Sequence, residues 1–279
     1  NRRPMRLYLI NLDRRPDRLA AMAQESRKAG LSFTRIAAMD GQSPASQAPM
    51  RERFAAGGPL GPLPSGDRCC TLSHRRTWEA LVESGAPYAA VFEDDVRLTP
   101  AAAALLTDAA WIPPGADLIK LEHFGPASQK VLVRDERPGP AGLTLARLAS
   151  RHTGAAAYIL SRRAAQTLLA IERFDLPVDH LLFNPNNSPV FAALKPWQVL
   201  PAVARQQEFV GAKSDIETTR RRLRALSPAY AKRELIRAAY DLKLVPKQLW
   251  LVLSGKARLV SVRAPEAINA ARSGRPPGC

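Results

Sequence analysis

The sequence predicts an α/β protein: a single domain whose mostly parallel central sheet is flanked by helices, followed by a basic helical C-terminal tail. Three observations predict this. Short apolar runs typical of buried strands alternate with helical segments as far as Ile171. The 279 residues can bury a large core, and 46% of them are hydrophobic, which is ordinary for a globular protein. From Arg220 onward, 14 Lys and Arg face 3 acidic residues and supply +11 of the net charge of +16.

The first predicted elements surround a long irregular stretch. We expect a strand at Arg6–Asn11, then a charged helix that ends before Gly30, and a second strand at Leu31–Ile36. Residues 41–68 are rich in Gly, Pro, Ser and Ala, which indicates a long functional or mobile loop. A helix over Leu72–Glu83 follows that loop.

The alternation of strands and helices then continues. The further predicted elements are a strand at Tyr88–Glu93, a short Ala-rich helix after Pro100, a strand at Asp117–Leu121, a hairpin around Pro138–Gly142, a strand at Gly154–Leu160 and a helix at Ser161–Ile171. Ser161 is a good N-cap for the last of these helices. Because ligands bind at the carboxyl ends of the strands in such sheets, we expect the site there.

Three consecutive carboxylates, those of Glu93, Asp94 and Asp95, follow the apolar strand that begins at Tyr88. Like charges crowded at a strand end repel one another, and a bound cation relieves that strain. Oxygen ligands favour a hard ion such as Mg²⁺ or Mn²⁺, which typically also holds substrate phosphates. A solvated acidic turn is the alternative that this segment alone leaves open.

The tail has the pattern of a basic amphipathic helix. From Ser227 onward, apolar residues recur near helical spacing with Lys and Arg between them, and Pro246 breaks or kinks the segment before a second apolar cluster that contains Trp250. Such a segment is typical of an interfacial membrane helix. The alternative is a terminal helix that packs its apolar stripe on the domain. We expect Ser273–Cys279 to be disordered.

Composition argues against several other classes. Three cysteines, two of them adjacent, make no disulfide framework, and no C-x-x-C spacing suggests zinc. No apolar run is long enough to cross a bilayer, and the N-terminus lacks the apolar core of a signal peptide. The acidic triplet and the high pI also leave open a nucleic-acid-binding or metal-dependent phosphoryl-transfer protein with a basic tail. No DNA- or RNA-reading motif and no second acidic cluster accompany the basic tail.

Several motifs, in register, resemble glycosyltransferase family 25, the lipooligosaccharide galactosyltransferases of bacteria and their collagen-modifying relatives. These motifs are Tyr8–Arg18 (YLINLDRRPDR), Cys70–Trp78 (CTLSHRRTW), Val91–Val96 (VFEDDV), Gly154–Ser161 (GAAAYILS) and Phe174–Asp179 (FDLPVD). The resemblance implies a GT-A-like fold. We therefore assign residues 1–219 to a GT-A-like domain and 220–279 to a basic, partly amphipathic helical extension.

The resemblance also implies an activity. It implies a hexosyltransferase with a UDP-sugar donor, usually UDP-galactose, a Mn²⁺ (or Mg²⁺) cofactor, and an acceptor sugar on lipopolysaccharide, lipooligosaccharide or a related glycan, with inversion at the transferred carbon. We expect a cytoplasmic enzyme whose tail contacts the anionic inner face of the cytoplasmic membrane, and we do not expect a nucleic-acid partner. A catalytically silent relative that only binds sugars is a further alternative.

The acidic triplet corresponds to the metal-binding motif of such enzymes. We expect Asp95 to be a direct metal ligand and Glu93 to be a second ligand or a contact to the donor's ribose or sugar. Asp94 is expected to reach the metal or only its water shell. For the general base that takes the acceptor's proton, Asp179 is the first candidate and Glu122 the second, and each could instead be an ordinary loop carboxylate or helix cap.

Five further residues are matched to the donor site. Asn11, Arg14 and Arg18 lie where the first strand meets the first helix, a natural place for nucleotide and phosphate contacts. The alternative is that this arginine run is a solvated helix face. Ser73 and His74 precede the acidic strand, and we interpret His74 as an architectural residue near the donor, since a lone histidine is more often packed than catalytic.

Overall fold

A computed structural model describes residues 5–124, 130–206 and 228–263 of the chain. These residues form a mixed α/β structure in which helices flank a large central sheet, as predicted. The strands are β1 (Met5–Asn11), β2 (Thr34–Ala37), β3 (Tyr88–Glu93), β4 (Val96–Leu98), β5 (Leu118–Lys120), β6 (Glu122–His123), β7 (Lys130–Pro138), β8 (Thr144–Leu148), β9 (Ala157–Ser161), β10 (Trp197–Leu200), β11 (Ala204–Gln206) and β12 (Arg258–Ser261). The α-helices are α1 (Pro16–Lys28), α2 (Gln47–Arg53), α3 (Ser65–Ser84), α4 (Pro100–Leu106), α5 (Arg162–Leu169), α6 (Val178–Phe183), α7 (Phe191–Leu194), α8 (Pro228–Lys243) and α9 (Val245–Leu253).

The central sheet has nine strands in the order β12-β7-β8-β10-β5-β9-β3-β1-β2, and β4-β11-β6 form a second, smaller sheet. The prediction of a mostly parallel sheet is wrong. Only the pairs β1–β2, β1–β3 and β5–β10 are parallel, and the other five neighbouring pairs are antiparallel. Two of these five pairs involve β9, which lies antiparallel between β3 and β5. A buried apolar run has the same sequence pattern in either direction, so the pattern could not reveal this.

Residues 41–68 are more regular than expected. They contain a 3₁₀ turn at Pro44–Ser46, helix α2 and the start of α3, which begins seven residues before the predicted Leu72. Met50 and Phe54 are buried in the core, and the Phe54 ring packs at a tilt against Phe174 with 5.6 Å between ring centroids. These apolar anchors explain why the segment folds against the domain. The second strand also begins later than predicted, at Thr34.

The core lies on both faces of the sheet because side chains alternate along its strands. Along β1, Tyr8 and Ile10 contribute to one hydrophobic cluster, whereas Leu7 and Leu9 contribute to the other. The first cluster is covered by α3 and α5 and the second by α4. Ser161 caps α5 as predicted, since its Oγ accepts a hydrogen bond of 3.0 Å from the Ala164 amide.

Part of the predicted C-terminal extension packs on the domain. Strand β12 pairs antiparallel with β7 at the edge of the central sheet, and Val262 is buried in the main core. In α9, Leu251 packs against Leu132. Arg151 also pairs with Asp241 of α8 at 3.0 Å. The boundary at residue 219 and the terminal segment after Ser273 lie outside the described residues.

Other apolar side chains of α8 and α9 face solvent. Leu253 is 86% exposed and Trp250 is 54% exposed, and the Lys256 ammonium lies 4.3 Å from the centroid of the Trp250 ring. Among the helices that the structure describes, none combines the length and apolar character that a membrane span requires.

Candidate active site

The site begins where β1 and β3 end side by side. These strands are parallel, and their register pairs Ile10 with Glu93, so the next residues of both strands leave the sheet together. Asp94 accepts hydrogen bonds from the Asn11 side-chain amide at 2.7 Å and from Arg18 Nη1 at 3.1 Å. The structure thus brings together Asn11, Arg18 and the acidic triplet. Both carboxylate oxygens of Asp94 are engaged by these two side chains.

Asn11, at the end of β1, is buried with a relative exposure of 1%, and its side chain bonds several neighbouring groups. Its side-chain amide also donates to the carbonyl oxygen of Arg15, and its side-chain oxygen accepts from Arg35 Nε, both at 3.0 Å. Arg35, which also pairs with Asp13, is a residue that the sequence analysis missed. Its only sequence signal is a charged side chain within the second predicted strand.

Within the triplet, Asp95 has a strongly shifted pKa. Burial and, after it, the neighbouring Glu93 carboxylate raise the pKa of Asp95 to about 8, and Arg18 opposes this shift. Arg18 Nη1 lies 3.9 Å from Asp95 Oδ2. The other oxygen, Oδ1, is buried and has no hydrogen-bond partner among the residues that the structure describes.

The remaining donor-site candidates have different surroundings. Arg14 pairs with Asp40 at 2.9 Å near the start of α1. Ser73 donates to the Cys69 carbonyl at 2.7 Å and accepts from the Met39 amide at 2.8 Å, so it ties α3 to the segment after β2. His74 does reach the triplet: its Nε2 lies 3.1 Å from Glu93 Oε1.

Glu122 is fully buried and forms an ion pair with Lys120, whose Nζ lies 2.9 Å from Glu122 Oε1. The same oxygen accepts from the Ala156 amide at 2.9 Å, whereas Oε2 is buried and has no partner in the described part of the chain. Burial raises the pKa of Glu122 and lowers that of Lys120. The sequence analysis missed Lys120, because one lysine in an apolar strand gives no sign that it is buried.

Asp179 lies on the same side of the fold as the acidic triplet. Its Oδ2 accepts from the Gly154 amide at 3.3 Å, and the Gly154 carbonyl accepts from Lys120. The negative charges of Asp179 and Glu93 both act to raise the pKa of Lys120. Asp179 is half-buried at the start of α6, so an acceptor could approach it more readily than it could approach the fully buried Glu122.

The chemistry of these groups fits a hard divalent cation. Within the described part of the chain, Asp95 Oδ1 and Glu122 Oε2 are buried acceptors without a donor, and the charges of Glu93 and Glu122 both raise the pKa of Asp95. A second set of atoms also lies close together: Cys70, His74 and Glu93 each offer a ligand atom within 4.8 Å of the others. Because burial, first of all, raises the pKa of the Cys70 thiol well above its usual value, this set is poorly suited to a thiolate-bound metal.

From the raised pKa of Asp95 we predict how the stability of the metal-free protein depends on pH. The unfolded carboxyl ionises near pH 4, whereas the folded one keeps its proton up to about pH 8. The folded state therefore holds the extra proton over that range, and the free energy of unfolding falls as pH rises through it. Relative to the native chain, Asp95→Asn should gain stability from about pH 4 to pH 8 and then level off. Urea unfolding in EDTA at several pH values measures this, and a pH-independent difference would contradict it.

Comparison with known proteins identifies the family of this chain. Residues 5–182 match the model of the family described as glycosyltransferase family 25 (LPS biosynthesis protein). The chain is similar to the lacto-N-neotetraose biosynthesis glycosyltransferase LgtE of Neisseria gonorrhoeae, with 30% identity over 73% of this chain and 74% of LgtE. It is similar to the lipooligosaccharide biosynthesis protein lic2B of Haemophilus influenzae, with 28% identity over 57% of this chain and 63% of lic2B.

A more distant animal protein shares the same region. The glycosyltransferase 25 family member of Aedes aegypti is 30% identical over 76% of this chain but only 37% of its own length. The family match contains every candidate site residue from Asn11 to Asp179. The chain therefore belongs to glycosyltransferase family 25, the family of LPS biosynthesis proteins.

Proposed function

We propose that the protein is a metal-dependent hexosyltransferase that moves galactose from UDP-galactose to an acceptor sugar of lipopolysaccharide, lipooligosaccharide or a related glycan, with inversion. The observation that carries this proposal is Asp95 Oδ1, a buried acceptor without a donor in the described structure, placed between a second carboxylate and a basic corner. The names of two relatives of this chain refer to lacto-N-neotetraose and lipooligosaccharide biosynthesis, and these names support a glycan of that kind as the acceptor.

In this proposal Asp95 and Glu93 hold Mn²⁺ or Mg²⁺. When bound, the ion would neutralise the charge that develops on the departing diphosphate. Arg18 bonds Asp94 from α1, and in this proposal its guanidinium also contacts a donor phosphate. Asn11 keeps Asp94 in position from within the core. Arg14 adds a second, more exposed positive charge near the start of α1.

The acceptor hydroxyl must lose a proton as it attacks the donor sugar from the face opposite the diphosphate. We assign Asp179 as the general base that accepts this proton on a carboxylate oxygen, because Asp179 is half-buried on the same side as the triplet. Glu122 has a different role in this scheme. It forms a buried ion pair with Lys120 and accepts a hydrogen bond from the Ala156 amide, so it stabilises the backbone next to the site.

The metal role of Asp95 is tested by release of UDP from UDP-galactose, with and without Mn²⁺. Asp95→Asn should lower the Mn²⁺-dependent rate by about 100-fold or more, since even residues behind metal ligands can cost that much. Asp135→Asn is the matched control, because Asp135 lies on the exposed β7–β8 hairpin. Full Mn²⁺-dependent turnover by the Asp95 variant would exclude it as a ligand. A native chain that binds no UDP-sugar with metal present would refute the function for the donors tested.

The base assignment makes a separate prediction. Asp179→Asn should reduce kcat by about 100-fold or more while leaving the affinities for UDP and Mn²⁺ unchanged, because only the proton transfer is removed. Turnover with an added acceptor, together with calorimetric UDP binding, measures the two effects. Equal losses of donor affinity and of kcat would show that Asp179 binds donor instead.

We also propose that α8 and α9 place the enzyme on the anionic inner face of the cytoplasmic membrane. Three observations support this: the outward Leu253 and Trp250, the basic residues beside them such as Lys247 and Lys256, and the opposite face of α9, where Leu251 anchors the helix to the domain. Exposed apolar side chains flanked by lysines suit an anionic lipid surface. Each nearby Lys or Arg contributes about 1 kcal/mol to such binding.

Sedimentation with lipid vesicles tests this surface. The native chain should bind vesicles that contain phosphatidylglycerol more tightly than vesicles of phosphatidylcholine alone, and salt should weaken the binding. Leu253→Glu should lose most of this binding, whereas Thr107→Glu, which adds the same charge at the exposed end of α4, should retain it. Equal binding by the two variants would rule out α9 as the contact.

A further inference from the structure

We propose that Trp78, Tyr158 and His74 form a buried chain of hydrogen bonds that positions Glu93, so that His74 acts through Glu93 and not on the substrate. This proposal rests on the function proposed above, in which Glu93 belongs to the metal and donor site. It assigns a joint role to side chains that sequence analysis could only describe as packed. Trp78 and Tyr158 are 0% exposed, and His74 is 1% exposed.

The chain is continuous from the core to the site. Trp78 Nε1 lies 3.0 Å from Tyr158 Oη, and Tyr158 Oη lies 3.0 Å from His74 Nδ1. His74 Nε2 lies 3.1 Å from Glu93 Oε1. The rings of His74 and Tyr158 also stack, with 5.6 Å between their centroids.

The chemistry of the end groups sets the direction of the chain. An indole N–H can only donate, so Tyr158 Oη accepts from Trp78. An ionised carboxylate can only accept, so His74 Nε2 carries the proton that bonds Glu93. In a neutral ring Nδ1 is then an acceptor, and it receives the proton of the Tyr158 hydroxyl. Every polar atom in the chain has a partner under this assignment, as buried polar networks require.

Secondary structure holds these groups in place. His74 and Trp78 are four residues apart on α3 and so lie on one face of that helix. Tyr158 lies on β9, which pairs with β3, the strand that ends at Glu93. Three elements of the core therefore fix one oxygen of Glu93. Its second oxygen, Oε2, lies 3.5 Å from Gln206 Nε2 on the side of the small sheet.

This arrangement resembles the support that proteins give to metal ligands. A ligating carboxylate is commonly held by a hydrogen bond to one oxygen, which orients the other toward the ion. The proximity of Cys70, His74 and Glu93 then has an explanation without a metal between them, because the His74 Nε2 that faces Glu93 bears a hydrogen. A metal bound to His74 would require that nitrogen to be deprotonated.

The tautomer of His74 is the first test, and it does not depend on activity. Long-range ¹H–¹⁵N spectra of the full chain with labelled histidine report which ring nitrogen carries hydrogen, and His74→Gln assigns the signal among the four histidines. We expect Nε2 to carry the hydrogen and Nδ1 to be the acceptor. A ring protonated on Nδ1 alone, or on both nitrogens, would overturn the proposed direction of the chain.

The second test is Tyr158→Phe, which removes one hydroxyl with little change of volume. Loss of one hydrogen bond in the chain should weaken Mn²⁺ binding in the presence of UDP by about three- to tenfold, measured by electron paramagnetic resonance. The Mn²⁺ concentration for half-maximal turnover should rise to match, with a smaller change in kcat. Tyr8→Phe is the matched control, since Tyr8 is another buried tyrosine in the same core cluster. Equal Mn²⁺ affinity in the two variants would overturn the proposal.

A double-mutant cycle separates positioning from general loss of packing. In His74→Gln the amide can still donate to Glu93, but it no longer depends on Tyr158. If the chain acts through His74, Tyr158→Phe should cost nothing further in that background, whereas additive losses would overturn the proposal. A native chain that binds neither Mn²⁺ nor UDP-sugar would refute the proposed function and the role of Glu93 with it. The tautomer measurement would still decide the direction of the hydrogen bonds.

Discussion

The balance of charge among a few enclosed carboxylates is the constraint on which the site depends. Glu93, Asp94 and Glu122 all raise the pKa of Asp95, yet only some of their charge is offset within the described structure. Asp94 is held by Arg18, and Glu122 is paired with a buried lysine. Among the described residues, Asp95 has a cation only at 3.9 Å, that of Arg18, and its carboxyl keeps a proton up to about pH 8 when no metal is bound. Such uneven compensation is what a site for a divalent ion and a phosphate group requires.

The sequence predicted the part of this site that a local motif marks, namely the acidic residues at the end of an apolar strand. Consecutive carboxylates after an apolar strand located the triplet, and the parallel pairing of β1 with β3 brought Asn11 to it. The supporting residues left no such signal. Tyr158 occurs in a run of alanines and aliphatic residues that also suits an ordinary core strand, and Lys120 stands alone among apolar neighbours. Their roles arise from pairings between distant strands, which local patterns do not encode.

The limits of the fold prediction have a similar cause. Hydrophobic periodicity shows that a strand is buried but not which direction it runs, so the sequence predicts a mostly parallel sheet and does not reveal the antiparallel β9. Glycine and proline predicted a loop at 41–68, whereas the apolar anchors Met50 and Phe54 fold that segment onto the domain. The family match extends over residues 5–182, yet β10 and β12 lie beyond it and complete the same sheet. Family resemblance thus located the site better than it located the edge of the fold.

Strand β12 has a consequence for how the domain is kept from aggregating. It pairs with β7, which would otherwise be the outermost strand of the described sheet on that side. An uncovered edge presents unpaired N–H and C=O groups that can recruit a strand from another chain. A chain shortened before Arg258 would keep the acidic triplet and its supporting residues, but it would leave the outer backbone groups of β7 unpaired. The pairing replaces the nine-residue β7 with the four-residue β12 as the outer strand, and a short edge strand offers another chain less backbone to pair with.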